Sequence, residues 1–510
     1  MEVQIREHEA AVIRLKRTRN PFLNVSKLPP ETLGEIFRWN TIRESDFGPL
    51  RKRSHNFLLV CHHWFKVASC TPELWGFWGN NLRDWEERYL RHQTAPLDLV
   101  LSATGSGLET LDDGLQKALK DRIARDTIRR IHLLAEDPEL LDSIVSSLAN
   151  CEGIGSRSVE SIVVECEDPD ELPIVSNFLA CYRFPKLQRL VLAGCTIPSW
   201  DRIVLNTSGL TTLTLDVDFP SPKITSSQIL SILRSNPSLR EIILRGCAIP
   251  DDGGDKSPRV PLTRLKELTV AGSSQDVFTL LHQLDHPGNM DEMFLDVWDV
   301  APGNISRIVG PYLRDYFRHC GRSRGGLGLD LISGVGIEFR VEDAGRCNFS
   351  DPRSAWRGTF ATIIIRPDQA LPQVSLEEDL RGLISSVPQE EVVYIRAHGR
   401  PVSIQVVSNQ LPYLRAIRFD RTPLHVAFPE SNLDRHKISP HLQHIRLNLG
   451  SVRRGDWRLL TTFLDHLASS GNRLDKLELE VDTSCEMDPE VEEGIRKAVR
   501  EFRVTYEDEF

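Results

Sequence analysis

No run of eighteen apolar residues occurs in the chain, and its first stretch, MEVQIREHEAAVIRLKRTR, lacks the apolar core of a signal peptide. Neither a helical membrane anchor nor a secretory leader is expected from this, and a soluble protein of the cytoplasm or nucleus is expected. Closely spaced cysteine pairs are missing too: ten cysteines are scattered over 510 residues, which suits reduced thiols better than a disulfide framework. Positive charge is in short supply. A net charge of −10 argues against general affinity for nucleic acid, although residues 1–66 carry 12 basic against 7 acidic side chains. Neither G-x-x-x-x-G-K-[ST] nor a complete G-x-G-x-x-G is present. Cys61, His62 and His63 are adjacent and point to different faces of a helix, so they do not make a zinc site. Nothing selects a catalytic residue, a metal or a cofactor, and the chain is not expected to be an enzyme.

What is present is size and repetition. At 40% hydrophobic, 510 residues bury a large core and exceed one compact globule, so two domains or a repeat array are expected. From about Ala95 onward an apolar triplet at i, i+3, i+5 recurs, for example Ile128/Ile131/Leu133, Leu187/Leu190/Leu192, Leu239/Ile242/Leu244, Leu414/Ile417/Phe419 and Leu474/Leu477/Leu479. Within each uninterrupted run, units start 23 to 32 residues apart. Residues i+3 and i+5 of a short strand share a side, so each repeat offers three side chains to a common core that only a stack can bury. Between triplets lie amphipathic segments (225–237, 273–288, 375–389, 456–471), several opening on Ser or Asp and closing before Pro or Gly, as helix caps require.

This pattern resembles the leucine-rich-repeat family. LQRLVLAGCTI (187–197) and LREIILRGCAI (239–249) read L-x-x-[LI]-x-L-x-x-C-x-I, similar to the cysteine-containing subtype common in ubiquitin-ligase receptors. The resemblance makes Cys195 and Cys247 core residues. Residues 325–366 depart from it: Leu327/Leu329/Leu331 and Val335/Ile337/Phe339/Val341 alternate around a Ser-Gly turn, an inserted hairpin or an irregular repeat pair.

Residues 22–75 precede the repeats. LPPETLGEIFRW (28–39) reads as a helix with an apolar face of Leu33, Ile36 and Phe37. NFLLVCHHWFKVAS (56–69) reads as a second, and TPELW (71–75) as the start of a third capped by Thr71. So small a bundle holds more large apolar side chains than its core can hide. The stretch resembles an F-box: Leu28, Pro29, Glu31, Leu33, Ile36, Phe37, then Val60, Cys61, Trp64, then Leu74, Trp75 stand at the family's positions. The flanking sequence is similar to the F-box expansions of mushroom-forming fungi. The linker 40–56 is longer than the family's and lacks its Leu-Pro-x-x-Asp.

The fold class expected is α/β: a small all-α three-helix F-box followed by an irregular leucine-rich-repeat solenoid, or horseshoe. Its divisions are an N-terminal helix or tail (1–21), which could end a longer coiled coil, the F-box (22–80), a connecting helix (81–94), a first repeat array (95–324), the irregular region (325–366), a second array (367–485) and an acidic cap helix and tail (486–510). The resemblance implies docking on a Skp-type adaptor, and through it on a cullin–RING ligase, by Leu28, Pro29, Leu33, Ile36, Val60, Trp64, Leu74 and Trp75. Those same residues are also candidates for the bundle's own core. A protein substrate would meet the strands' outward residues: Asp216, Glu241, Glu267, Glu292 and Asp296, then Arg418, His444, Arg446 and Lys476. That face changes sign along its length, as a recognition surface or as ordinary solvated positions. The alternative function is a non-ligase scaffold that sequesters a partner.

Overall fold

A computed structural model describes residues 2–19, 27–42, 60–71, 74, 77–78, 97–103, 128–135, 141, 145–146, 158–166, 179, 184–195, 209–216, 224–246, 259–285, 290–300, 304–319, 327–333, 337–343, 359–366, 373–399, 404, 407, 410–420, 422–428, 438–449, 452, 456–482 and 487–507. They fall into two compact units, Met1–Pro222 and Lys223–Phe510.

The first unit opens with α1 (Glu2–Arg19). A small bundle follows. Helix α2 (Pro30–Ile42) starts on a proline, whose fixed φ and missing N–H suit a first turn, with Glu31 at the positive end of the helix dipole. Its Leu33 and Phe37, one turn apart, pack with Val67 and Ala68 of α3 (His62–Ser69) and with Leu74; Leu28 and Trp64 lean on the same cluster. The expected second helix over 56–69 is shorter than its periodicity implied. Cys61 has extended backbone angles (φ −163°, ψ 167°) and its Sγ accepts from the Trp64 N–H at 3.5 Å, so it caps α3 instead of lying inside it. Val60 therefore sits in the preceding turn. The linker over 43–59, Trp75 and the expected connecting helix 81–94 lie outside the described residues.

Among the described residues the first unit continues with six parallel strands: β1 (Phe77–Trp78), β2 (Leu97–Ala103), β3 (Ile128–Ala135), β4 (Ser161–Cys166), β5 (Arg189–Ala193) and β6 (Thr212–Asp216). The apolar triplets stack in register. Ile162 pairs with Leu190 and Leu190 with Leu213; Val164 pairs with Leu192 and Leu192 with Leu215. All are buried, and each such side chain contributes about 1.5–3 kcal/mol. Each repeat is also stitched to the one before: the Gln188 N–H donates to the Glu160 carbonyl at 2.8 Å, and the Thr211 N–H to that of Gln188 at 2.7 Å. Cys195 is fully buried, its Sγ donating to the carbonyls of Ala193 (3.2 Å) and Val164 (3.7 Å). The glycine before it, Gly194, has φ +59°, and the equivalent Gly246 of the second unit has φ +64°. Cys247 lies outside the described residues.

The second unit continues the theme with β7 (Glu241–Arg245), β9 (Glu267–Ser273) and β11 (Glu292–Trp298), preceded or separated by α4 (Ser226–Ser235) and α5 (Ser274–His282) and braced by the short pair β8 (Val260–Pro261) and β10 (Leu284–Asp285). The helix starts obey the expected chemistry. Thr225 and Gln228 form a reciprocal capping box, and the Ser273 hydroxyl accepts from Asp276 N–H.

After α6 (Ile305–His319) the order changes. Strands β12 (Leu327–Ser333), β13 (Ile337–Asp343) and β14 (Thr359–Arg366) form an antiparallel meander that enters the sheet backwards: β14 lies parallel to β11, and β12 parallel to β15 (Val392–Gly399). Helix α7 (Gln373–Ile384) packs on α6 where both carry glycine. A Cβ at Gly310 would lie 2.7 Å from Ser386 Oγ, and one at Gly382 would lie 2.1 Å from Ser306 Cβ.

Parallel pairing then runs from β15 through β16 (Ala416–Asp420), β17 (His444–Asn448) and β18 (Lys476–Asp482), with the short α8 (Leu424–Ala427) and α9 (Trp457–Ser469) between them. Asp456 stands before α9 with helical backbone angles and makes no capping bond. The acidic segment expected to be a cap helix and tail forms α10 (Pro489–Ala498) and then a further strand, β19 (Glu501–Glu507), paired parallel to β18.

Candidate functional site

The bundle of the first unit divides the candidate adaptor-binding residues in two. Leu33 and Leu74 are 0% and 1% exposed and form its interior; Ile36 and Val60 are 45% and 55% exposed. Pro29 is exposed, and Leu28 and Trp64 are half-buried. Phe65, which the pattern did not single out, is exposed as well. The division follows from helix geometry: Leu33 and Phe37 are i, i+4 on α2, about 40° apart, while Ile36 lies on the other side of Leu33, about 100° from Phe37. Trp64 lies against Phe37, ring centroids 5.1 Å apart, and its indole N–H is buried without an acceptor, a cost of about 1–3 kcal/mol.

The strands of the second unit bring three of the candidate substrate-binding residues together. Glu241, Glu267 and Glu292 each open a strand, and the register pairs Glu241 with Glu267 and Glu267 with Glu292. Neighbouring strands are about 4.8 Å apart, so the three carboxyls form one row of like charge. Partial burial, then Glu241, Glu292 and Asp291, push the Glu267 carboxyl above the ordinary carboxylate range. Asp296, farther along β11, is half-buried beside Ala271 and Ile364. Asp216 closes β6 in the first unit, where its carbonyl accepts from Gly194 N–H at 2.9 Å.

The expected basic stretch is different from its reading. Arg396, Arg418 and Arg446 do form a row across β15, β16 and β17, but acids beside it neutralise the row. Asp420, 3% exposed, accepts from Arg396 Nε at 2.5 Å and from Arg418 Nε at 2.8 Å. Glu480 pairs with Arg446 and accepts from Asn448 at 3.0 Å. Glu478 sits between Lys476 Nζ (2.5 Å) and His444 Nε2 (3.2 Å). Burial pushes the His444 imidazole below its ordinary value, against the pull of Glu478. Burial also pushes Glu478 up, and Lys476, His444 and Arg446 together outweigh it, leaving its carboxyl below the ordinary range.

Arg418 is thus buried, and the face expected to be positive is a matched polar network. The missed partners, Asp420, Glu478 and Glu480, occupy the same two outward positions of their repeats as Arg418 and Asn448. Applying the triplet period to every outward residue, not only to the basic ones, would have found them. Among the described residues no group of three or more His, Cys, Asp or Glu side chains could hold a metal ion, and no helix is long and apolar enough to cross a membrane.

No protein-family model matches the chain, and no curated protein does. Among solved structures it is similar to the crystal structure of an internalin from Listeria monocytogenes, at 12% identity over 73% of this chain and 89% of that one, with a TM-score of 0.26. The repeat reading rests on the strand register described above, not on that overlap.

Proposed function

We propose that this chain is the substrate-recognition subunit of a Skp–cullin–F-box ubiquitin ligase of the cytoplasm or nucleus. Its small bundle docks on a Skp-type adaptor, and its leucine-rich repeats hold the protein to be modified. The observation that carries the reading is that Ile36 and Val60 stay exposed and Leu28 and Trp64 stay only half-buried, on a bundle whose described core is Leu33, Phe37, Val67, Ala68 and Leu74. Large apolar groups left over around a tryptophan are where interface energy concentrates. The chain contributes no chemistry of its own. Holding a partner's lysine beside a charged thioester makes the transfer effectively intramolecular.

In this reading Leu33 and Leu74 position the docking face, and Leu28, Pro29, Ile36, Val60 and Trp64 form it, with Trp75 assigned to it by the sequence pattern alone. The row Glu241, Glu267 and Glu292 selects a basic segment of the substrate by charge complementarity. The matched network around Arg418, His444, Arg446 and Lys476 fixes the strands that flank it.

Affinity purification of the chain with ligase activity blocked tests the assembly. Adaptor and cullin are expected together with a partner whose half-life depends on Ile36 and Val60. Recovery of a stable partner without adaptor would instead favour the second reading, a binding scaffold outside any ligase, for which the repeat stack with its outward acidic row is sufficient.

A further inference from the structure

Helix α1 carries an exposed apolar seam. Ile5, Val12 and Leu15 are 51%, 48% and 71% exposed, and the described side-chain hydrogen bonds of the helix, Arg14 to the Ala10 carbonyl and Thr18 to the Arg14 carbonyl, stay within it. An isolated helix of this length is marginal in water and normally gains its stability by burying one face. Ile5, His8, Val12 and Leu15 follow one another at spacings of three, four and three residues, the a/d pattern of a two-stranded coiled coil.

The charges decide what fits. Residues 2–10 carry three glutamates and one arginine, whereas residues 11–19 carry four basic residues and no acid. A parallel copy would set the two basic halves side by side. An antiparallel copy sets each basic half against the other's acidic half. It also closes the seam with its own residues: Ile5 meets Leu15 of the second copy and His8 meets Val12, each pair occurring twice about a two-fold axis, as a self-complementary interface requires.

We propose that α1 is a homodimerisation helix that pairs antiparallel with α1 of a second copy through Ile5, His8, Val12 and Leu15. The inference is independent of the adaptor-binding reading and brings two copies of the chain together by their N-terminal helices.

Analytical ultracentrifugation of the full chain tests it. A dimer is expected at about 50 µM, with Val12→Glu plus Leu15→Glu raising its dissociation constant on the order of 100-fold while circular dichroism and thermal unfolding of the rest are retained. Orientation is read by mixing a His8→Cys chain with a Val12→Cys chain under mild oxidation and mapping the linked peptides. A link between positions 8 and 12 is expected. A wild-type chain that stays monomeric to about 100 µM, whatever other protein the helix then binds, overturns the proposal. So does a dimer indifferent to the double substitution, or one linked mainly 12 to 12.

Discussion

His444 Nε2 lies 3.2 Å from Glu478 Oε2 across two neighbouring parallel strands. The folded chain keeps this imidazole neutral more strongly than water does, because burial outweighs the carboxylate's attraction. The unfolded chain, with its histidine at the ordinary 6.5, therefore binds a proton first as pH falls. Stability contributed here is present above 6.5 and lost as pH drops through it toward the folded value. Glu478, held low, loses its own contribution further down, as pH falls through 4.5. Urea unfolding at a series of pH values is expected to show a shallower decline below pH 6.5 in His444→Gln than in the wild type. Superimposable curves would contradict the assignment.

Asp420 is a carboxylate shared by Arg396 and Arg418. Replacing it by Ala leaves two guanidiniums, one of them buried, without their shared acceptor. The expected loss is about 3–5 kcal/mol in chemical unfolding. A loss below about 1 kcal/mol would mean that water or a neighbouring carbonyl replaces it.

Gly194 is the turn glycine at the end of β5. Its φ of +59° disfavours side chains, and a Cβ there would stand 2.2 Å from the Cys166 carbonyl oxygen of the preceding repeat. Gly194→Ala is expected to cost about 2 kcal/mol or more, read as a lowered unfolding midpoint.

Within the bundle, Leu33→Ala is expected to destabilise by about 2–5 kcal/mol, whereas Ile36→Ala, at an exposed position, shifts stability by no more than about 0.5 kcal/mol. Equal effects would mean that the two faces of α2 are assigned wrongly.

Glu267 stands between two glutamates in register. Its raised pKa means that it stabilises the fold when protonated and ceases to as pH rises through the folded value. At neutral pH, Glu267→Gln is expected to raise stability by about 0.2–1 kcal/mol while weakening capture of a basic substrate. A loss of stability would show that its repulsion is already compensated.

Much of this architecture is periodic and was therefore legible. A Leu at i+3 and i+5 must share a side, so the stacking of Leu190 on Leu213 and Leu192 on Leu215 follows from spacing alone, as does the row Glu241, Glu267 and Glu292. Cap chemistry at Thr225 and Ser273 is local and could be read directly. Other features depend on which strands meet. The backward insertion of β12, β13 and β14 is a matter of strand order, which alternation within one hairpin does not encode. The pairing of Arg396 and Arg418 with Asp420 joins residues 24 positions apart in one case, and it needed the register. At Cys61 a helical spacing of apolar residues concealed a cap, because a thiol serves both as a small hydrophobe and as an acceptor.

The most direct test is calorimetric titration of the purified full-length chain with a purified Skp-type adaptor, compared with a chain carrying Ile36→Asp and Val60→Asp. Submicromolar binding by the wild type, weakened at least about 100-fold by substitutions that leave thermal unfolding unchanged, is the predicted result. Equal affinity of the two chains, or no heat of binding from the wild type, would contradict the account.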